Sequence, residues 1–436
     1  MKRILFSPIG TTDPIRDCYD GACLHIIRHY RPDEVVLFFT AEMGELQKKD
    51  QRYTKAVKQL APGISIREIY SEIKDAHLYD SYFEIVPRCI RELEQEDAEL
   101  LLNLSSGTPQ IKTMMAILTV QEKSCRGIQV SSPSKKSNVN SDPVKPDYDV
   151  DEALQNNLDD CPDAENRCSE PPLKVLRHYA ERKQLLSLIG RYEYGAARTL
   201  VKGSDTVPET VQKLLEHASL RIKLQPDKAK KVLSRYENIR LFAFEGEEEK
   251  LMEYFLLMQV AQRKELLSDL LVKLTPFLYE LLQLYLKKNT RFSLREITGR
   301  KKLERGLLQK YQPRLLELLD KEWEKWGGYR DSELSARLLY HICQYVCREE
   351  MAKDSGKHER LVQVLDKISK GFDLRNDVAH TIVNFLESDF VSRTGVASGQ
   401  MINCLAELLE IVLGKEAASQ RKIYETINRW IDEQMT

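Results

Sequence analysis

Residues 99–110 read ELLLNLSSGTPQ, an apolar run that breaks at once into a dense Ser/Ser/Gly/Thr turn and then into Pro109. Thr108 is a helix-capping residue and proline suits the first helical turn, so the stretch reads as a strand feeding a helix through a tight polar turn. The same construction opens the chain: the apolar residues 3–7 run into Ser7-Pro8-Ile9-Gly10-Thr11-Thr12-Asp13-Pro14. Further apolar runs at residues 34–40, 64–70 and 127–131 read as strands, with amphipathic helical patterns between them. Strands that are apolar on both faces and alternate with helices make a parallel sheet covered on both sides. The expected fold of the first 131 residues is a Rossmann-like α/β domain.

Ligands of such sheets bind beyond the carboxyl ends of the strands, where turns and helix N-termini present free N–H groups. The two Ser/Thr-rich turns are therefore the expected ligand site. Neither is GxGxxG, which disfavours ordinary dinucleotide binding, and the chain has no GxxxxGK[ST], which removes a P-loop nucleotidase.

The segment 132–172 changes to Pro, Ser, Asn and Asp and is expected to be a linker or an extended hairpin. Beyond it the periodicity is helical almost throughout, as at residues 173–189, 192–201, 208–224, 227–236 and 250–286. Pro276 interrupts the heptads of the Leu-rich run 266–286, which predicts a packed bundle helix rather than a coiled coil. The basic tract 300–305 reads as a solvated surface, and His341 beside Tyr340 and Tyr345 as a core histidine.

Near the other end, residues 371–386 read GFDLRNDVAHTIVNFL. Leu374, Val378, Ile382 and Phe385 recur at helical spacing, with Asp373 as the expected N-cap. Asn376 and His380 fall on the polar face and Arg375 on its margin. Arginine is a permanent cation with forked donors suited to a phosphodiester, and histidine moves protons near neutral pH. On an ideal helix Arg375 and His380 are about 140° apart, so two copies facing each other converge them better than one.

Arg375-Asn376-Asp377-Val378-Ala379-His380 resembles the R-x(4-6)-H signature of HEPN ribonucleases. The turns Ile9–Pro14 and Leu102–Gln110 resemble the ligand-loop motifs of CARF domains, and together the ends of the chain resemble the type III-A CRISPR-associated CARF–HEPN ribonucleases of the Csm family. That resemblance implies a CARF domain at 1–131, a helical connecting region at 173–265 and a HEPN domain at 266–436. It implies a homodimer in which a cyclic oligoadenylate, made by the type III CRISPR interference complex, activates cleavage of single-stranded RNA, with hexa-adenylate favoured over tetra-adenylate. The expected products are a 2′,3′-cyclic phosphate and a 5′-hydroxyl, formed without a metal or other cofactor. Carried over by position, the ligand contacts are Gly10, Thr11, Thr12, Asp13, Thr40, Asp80, Asn103, Ser105, Ser106, Gly107, Thr108 and Gln110. The catalytic residues are Arg375, His380 and Asn376. Slow cleavage of the activator by the CARF domain is a further implied activity. The competing class is a non-catalytic sensor of the cyclic nucleotide that relays a signal through a helical scaffold.

Composition bounds these readings. A chain of 436 residues with 42% apolar content supports two or three domains, and a net charge of −1 leaves RNA contact to a local patch. Nine cysteines without a CxxC pair point to a reducing compartment. No signal peptide and no membrane span is read in the chain, which is expected to be cytoplasmic.

Overall fold

A computed structural model describes residues 2–122, 124–133, 148–236, 241–300, 302–372 and 385–436. It divides into two compact units, 1–180 and 181–436.

The first unit is built on a sheet of order Ser65–Tyr70, Glu34–Phe39, Arg3–Pro8, Glu99–Asn103, Cys125–Val130 and Cys168–Ser169. All neighbours are parallel except the last pair. Successive side chains of a strand face opposite ways, and both faces here are buried. Ile4 and Phe6 pack with Val36, Phe38, Leu100 and Leu102 on one side. Leu5 packs with Val35, Leu37, Leu101 and Ile26 on the other. The strand Arg3–Pro8 lies between Glu34–Phe39 and Glu99–Asn103, so the chain order reverses there. The turns after the first and fourth strands flank this switch point, where an open α/β sheet leaves a crevice.

The described part of 132–172, expected to be a linker or an extended hairpin, packs as a piece of this unit. Asp149 caps the helix Val150–Gln155 by accepting from the N–H groups of Asp151 and Glu152. Val150 and Leu154 then join the core that contains Leu5, Ile15 and Val57, and Cys168–Ser169 pairs antiparallel with the strand Cys125–Val130. The polar residues that look like spacer serve as caps and ion-pair partners.

The second unit is helical around one large apolar cluster. At its centre is the 23-residue helix Leu267–Asn289, which continues through Pro276 and buries Leu270, Leu274, Phe277, Leu278, Leu281 and Tyr285. A departure from helical reading is a small antiparallel sheet of Thr298–Gly299, Lys302–Leu303 and Ser332–Glu333. Within the basic tract, Arg305 is paired with Asp320. His341 is buried beside Trp323 and Tyr340. Among the described residues no single helix is long and apolar enough to cross a membrane. The bent pair Glu387–Thr394 and Ser398–Leu413 passes that test on length and composition, but it buries Phe390, Met401, Leu405 and Leu409 in the core.

Candidate functional site

The two Ser/Thr-rich turns meet. The backbone at Gly10 lies so close to Gly107 that a Cβ on Gly10 would stand 2.5 Å from the Gly107 nitrogen and 2.9 Å from its Cα. Gly107 itself has φ of +84°, a conformation that L side chains rarely adopt. Both glycines are thus dictated by geometry, one by approach and one by its turn.

Around this contact opens a cleft of about 620 Å³, lined among others by Gly10, Thr11, Thr12, Thr40, Ser105, Gly107 and Thr108. These are candidates from both turns and from the end of the second strand. Thr40 is the N-cap residue of the helix Ala41–Asp50, with no side-chain cap bond.

Three other candidates build the turns from beneath. The fully buried Asn103 accepts from the N–H groups of Ser105 (2.9 Å) and Ser106 (3.2 Å). It donates to the hydroxyls of Ser7 and Ser106, both at 2.9 Å. One side chain therefore fixes the second turn and ties it to the first strand. Asp13 does the same for the first turn, accepting from the N–H of Gly10 at 3.1 Å and of Cys23 at 3.2 Å. Its burial pushes the carboxyl up from the usual range, against the pull of those donors, of Ser106 and of Lys112. Ser106 is buried too. Asp80 lies exposed in the turn Tyr79–Tyr82, and Gln110 is half-buried in the first turn of the helix Pro109–Gln121; neither lines the cleft.

The hydroxyls on the cleft wall are already oriented. Thr108 donates to the Ala76 carbonyl at 2.9 Å, which leaves its oxygen lone pairs free to accept. Tyr82 reaches the same carbonyl at 3.0 Å and stands 3.3 Å from the Thr108 hydroxyl. The Ser105 hydroxyl accepts from the Val130 N–H at 2.8 Å and so ties the turn to the neighbouring strand.

Sequence reasoning missed the charged members of this wall, Arg16, Asp17, Asp20, Glu42, Lys112 and Arg167. Arg167 comes from the segment read as a linker or an extended hairpin. It donates to the Ser131 carbonyl at 3.1 Å, pairs with Asp159 and packs over Tyr19. Asp159 also accepts from the Asp20 N–H at 2.8 Å, and Asp20 pairs with Arg28 at 2.8 Å and accepts from Asn157 at 2.7 Å. Buried His25 accepts the Arg167 N–H on Nε2 at 3.0 Å, which leaves Nδ1 to donate toward these carboxylates. The ligand-type atoms of Asp20, His25 and Asp159 lie close enough together to hold a metal ion. Their carboxylates, however, are already neutralised by Arg28 and Arg167, and the cluster acts as a clamp holding the 157–169 strap beside the cleft.

The catalytic candidates Arg375, Asn376 and His380 lie outside the described residues. The residues on either side, Phe372 and Phe385, are both buried in the core of the second unit.

Comparison with known proteins agrees with this layout. Residues 65–168 match the Cas_Csm6 CARF domain and residues 234–432 the Cas_Csm6 HEPN domain, together more than half of the chain. The CRISPR system endoribonuclease Csm6 of Mycobacterium tuberculosis is 38% identical over 226 residues, 51% of this chain and 54% of that protein. A Streptococcus thermophilus protein of the same name is 28% identical over 273 residues, 62% of this chain and 63% of its own. These two matches thus span less than two thirds of the relatives' length. The Enterococcus italicus Csm6 is 26% identical over 392 residues, 87% of this chain and 88% of that one. A solved structure described as Enterococcus italicus Csm6 bound to cyclic hexa-2'-fluoro-hexa-dAMP superimposes with a TM-score of 0.70 at 22% identity, covering 100% of both chains. By these domains the chain belongs to the Csm6 family of CARF–HEPN proteins.

Proposed function

We propose that the chain is an endoribonuclease switched on by a cyclic oligoadenylate that binds in the cleft of its first unit. The observation that carries this reading is the meeting of two Ser/Thr-rich turns at the sheet's switch point, in a chain whose other unit matches a HEPN domain. The cleft offers oriented hydroxyls and turn N–H groups, the donors and acceptors that ribose and phosphodiester groups need. The similar Enterococcus italicus structure carries a cyclic hexanucleotide analogue, which favours hexa-adenylate as the activator.

In the second unit Arg375 and His380 are the proposed catalytic pair. The RNA supplies its own nucleophile: the 2′-hydroxyl attacks the adjacent phosphorus, the bond to the 5′-oxygen breaks, and that oxygen takes up a proton. His380 assists the attack or protonates the leaving oxygen, Arg375 holds the phosphate and its developing charge, and Asn376 stands beside them. The products are a 2′,3′-cyclic phosphate and a 5′-hydroxyl, and this chemistry needs no metal-bound water. Two copies of the chain bring the pair together, so the working form is a homodimer. Such a chain acts in the cytoplasm, where RNA and activator meet.

The test is single-stranded RNA incubated with the protein in excess EDTA, with no ring, with cyclic tetra-adenylate or with cyclic hexa-adenylate. Ring-dependent cleavage leaving a cyclic phosphate is expected. A strict need for Mg²⁺ or Mn²⁺ with 5′-phosphate products refutes the mechanism, and ring binding without any cleavage leaves only the non-catalytic sensor.

A further inference from the structure

We propose that Lys112 is the cation that binds a phosphodiester of the ring, an assignment that rests on the reading of the cleft above. Lys112 stands in the first turn of the helix Pro109–Gln121, four residues past its N-cap Thr108. A lysine there is unfavourable for the helix, whose N-terminus already carries partial positive charge. It is half-buried and lines the cleft, yet among the described residues its ammonium makes no hydrogen bond and no ion pair. Its one close acidic neighbour, Asp13, is committed to the Gly10 and Cys23 N–H groups and acts on it only through space.

The other cations of the wall are engaged. Arg167 spends its guanidinium on Ser131 and Asp159. Arg16 pairs with Asp17 at 3.4 Å. Lys112 is therefore an ammonium held beside two hydroxyl-bearing turns, partly stripped of water, with no anion in direct contact. Burial lowers its pKa while Asp13 raises it, the situation that an incoming anion relieves. The helix N-terminus and Lys112 both line this cleft, and a phosphodiester is the group that suits both.

The experiment is calorimetric binding of cyclic hexa-adenylate and cyclic tetra-adenylate at two salt concentrations. It compares wild type with Lys112→Met, Lys112→Gln and Lys112→Arg, each checked by thermal melting. A charge-assisted hydrogen bond makes the neutral variants about ten- to hundred-fold weaker. Each lost phosphate contact lowers the slope of log affinity against log salt by about 0.7. Lys112→Arg is expected to bind within a few-fold of wild type. Folded neutral variants that bind like wild type with the same salt slope overturn the assignment and leave the reading of the cleft standing. Loss of affinity in all three variants with an unchanged slope overturns it as well, because packing rather than charge was removed. A wild type that binds neither ring overturns both. Should Lys112→Met fail to fold, Lys112→Gln carries the same test.

Discussion

Replacing Gly10 by alanine adds one carbon at the place where the two turns touch. That carbon would stand 2.5 Å from the Gly107 nitrogen and 2.9 Å from its Cα, whereas ordinary contact needs about 3.5 Å. The obstacle is backbone, and the Gly107 turn is held from behind by Asn103 and Ser106. The turns must therefore part by about 1 Å. Overpacking of this kind typically costs about 1–3 kcal/mol. If that strain falls on the ring-bound cleft, affinity drops about five- to 150-fold, since about 1.4 kcal/mol is a factor of ten. If it falls on the fold, the melting temperature drops by roughly 2–4 °C per kcal/mol. The assay is RNase rate against cyclic hexa-adenylate concentration, with melting temperature measured on the same sample. The expected result is a half-activating concentration raised about ten-fold or more, with the rate at saturation kept. A folded Gly10→Ala variant with an unshifted activation curve would refute the claim that the Gly10–Gly107 contact shapes the ligand site.

Arg375→Ala and His380→Ala are each expected to lower RNA cleavage by about 10²-fold or more while ring binding and the melting temperature stay as in wild type; wild-type rates in either variant would remove that residue from the site. Thr108→Trp fills the cleft beside Ala76 and Tyr82, so calorimetry is expected to show weaker ring binding and kinetics a matching rise in half-activating concentration, with the maximal rate unchanged. Burial tends to raise the pKa of Asp20, but hydrogen bonds from His25, Arg28 and Asn157 outweigh it and lower it to about 2. A depressed carboxylate contributes stability that is full above its unfolded pKa of about 3.9 and is lost as pH falls toward 2. This amounts to about 2 kcal/mol, and Asp20→Asn is expected to remove most of that acid-side slope in melts between pH 5 and pH 2.

The sheet was legible because each central strand is a short apolar run ended by a turn. The expected strands 34–40 and 99–104 stand as Glu34–Phe39 and Glu99–Asn103. Two-residue strands carry no periodicity, so Cys168–Ser169, the hairpin Ile15–Arg16 with Tyr19–Asp20, and Lys302–Leu303 left no such signal. The polar segment around 148–169 was ambiguous because Asp and Asn serve equally as spacer and as caps or ion-pair partners, and only tertiary contacts tell which. At the cleft, Gly and Ser/Thr density at a strand end gave the turns away. It did not separate wall residues such as Thr11 and Ser105 from the buried braces Asp13 and Asn103, which share the same polar chemistry. Lys112 reads by itself as an ordinary surface lysine of a helix, and Arg167 is remote in sequence from either turn.

The central claim is that ring binding in the cleft and RNA cleavage in the second unit are one coupled equilibrium. The most direct test is a pair of titrations on one preparation in EDTA: cyclic hexa-adenylate binding by calorimetry, and the rate of single-stranded RNA cleavage against ring concentration. Negligible cleavage is expected without the ring, followed by a saturable rise whose midpoint matches the dissociation constant. Full activity with no ring, or no activity in protein saturated with it, would contradict the account.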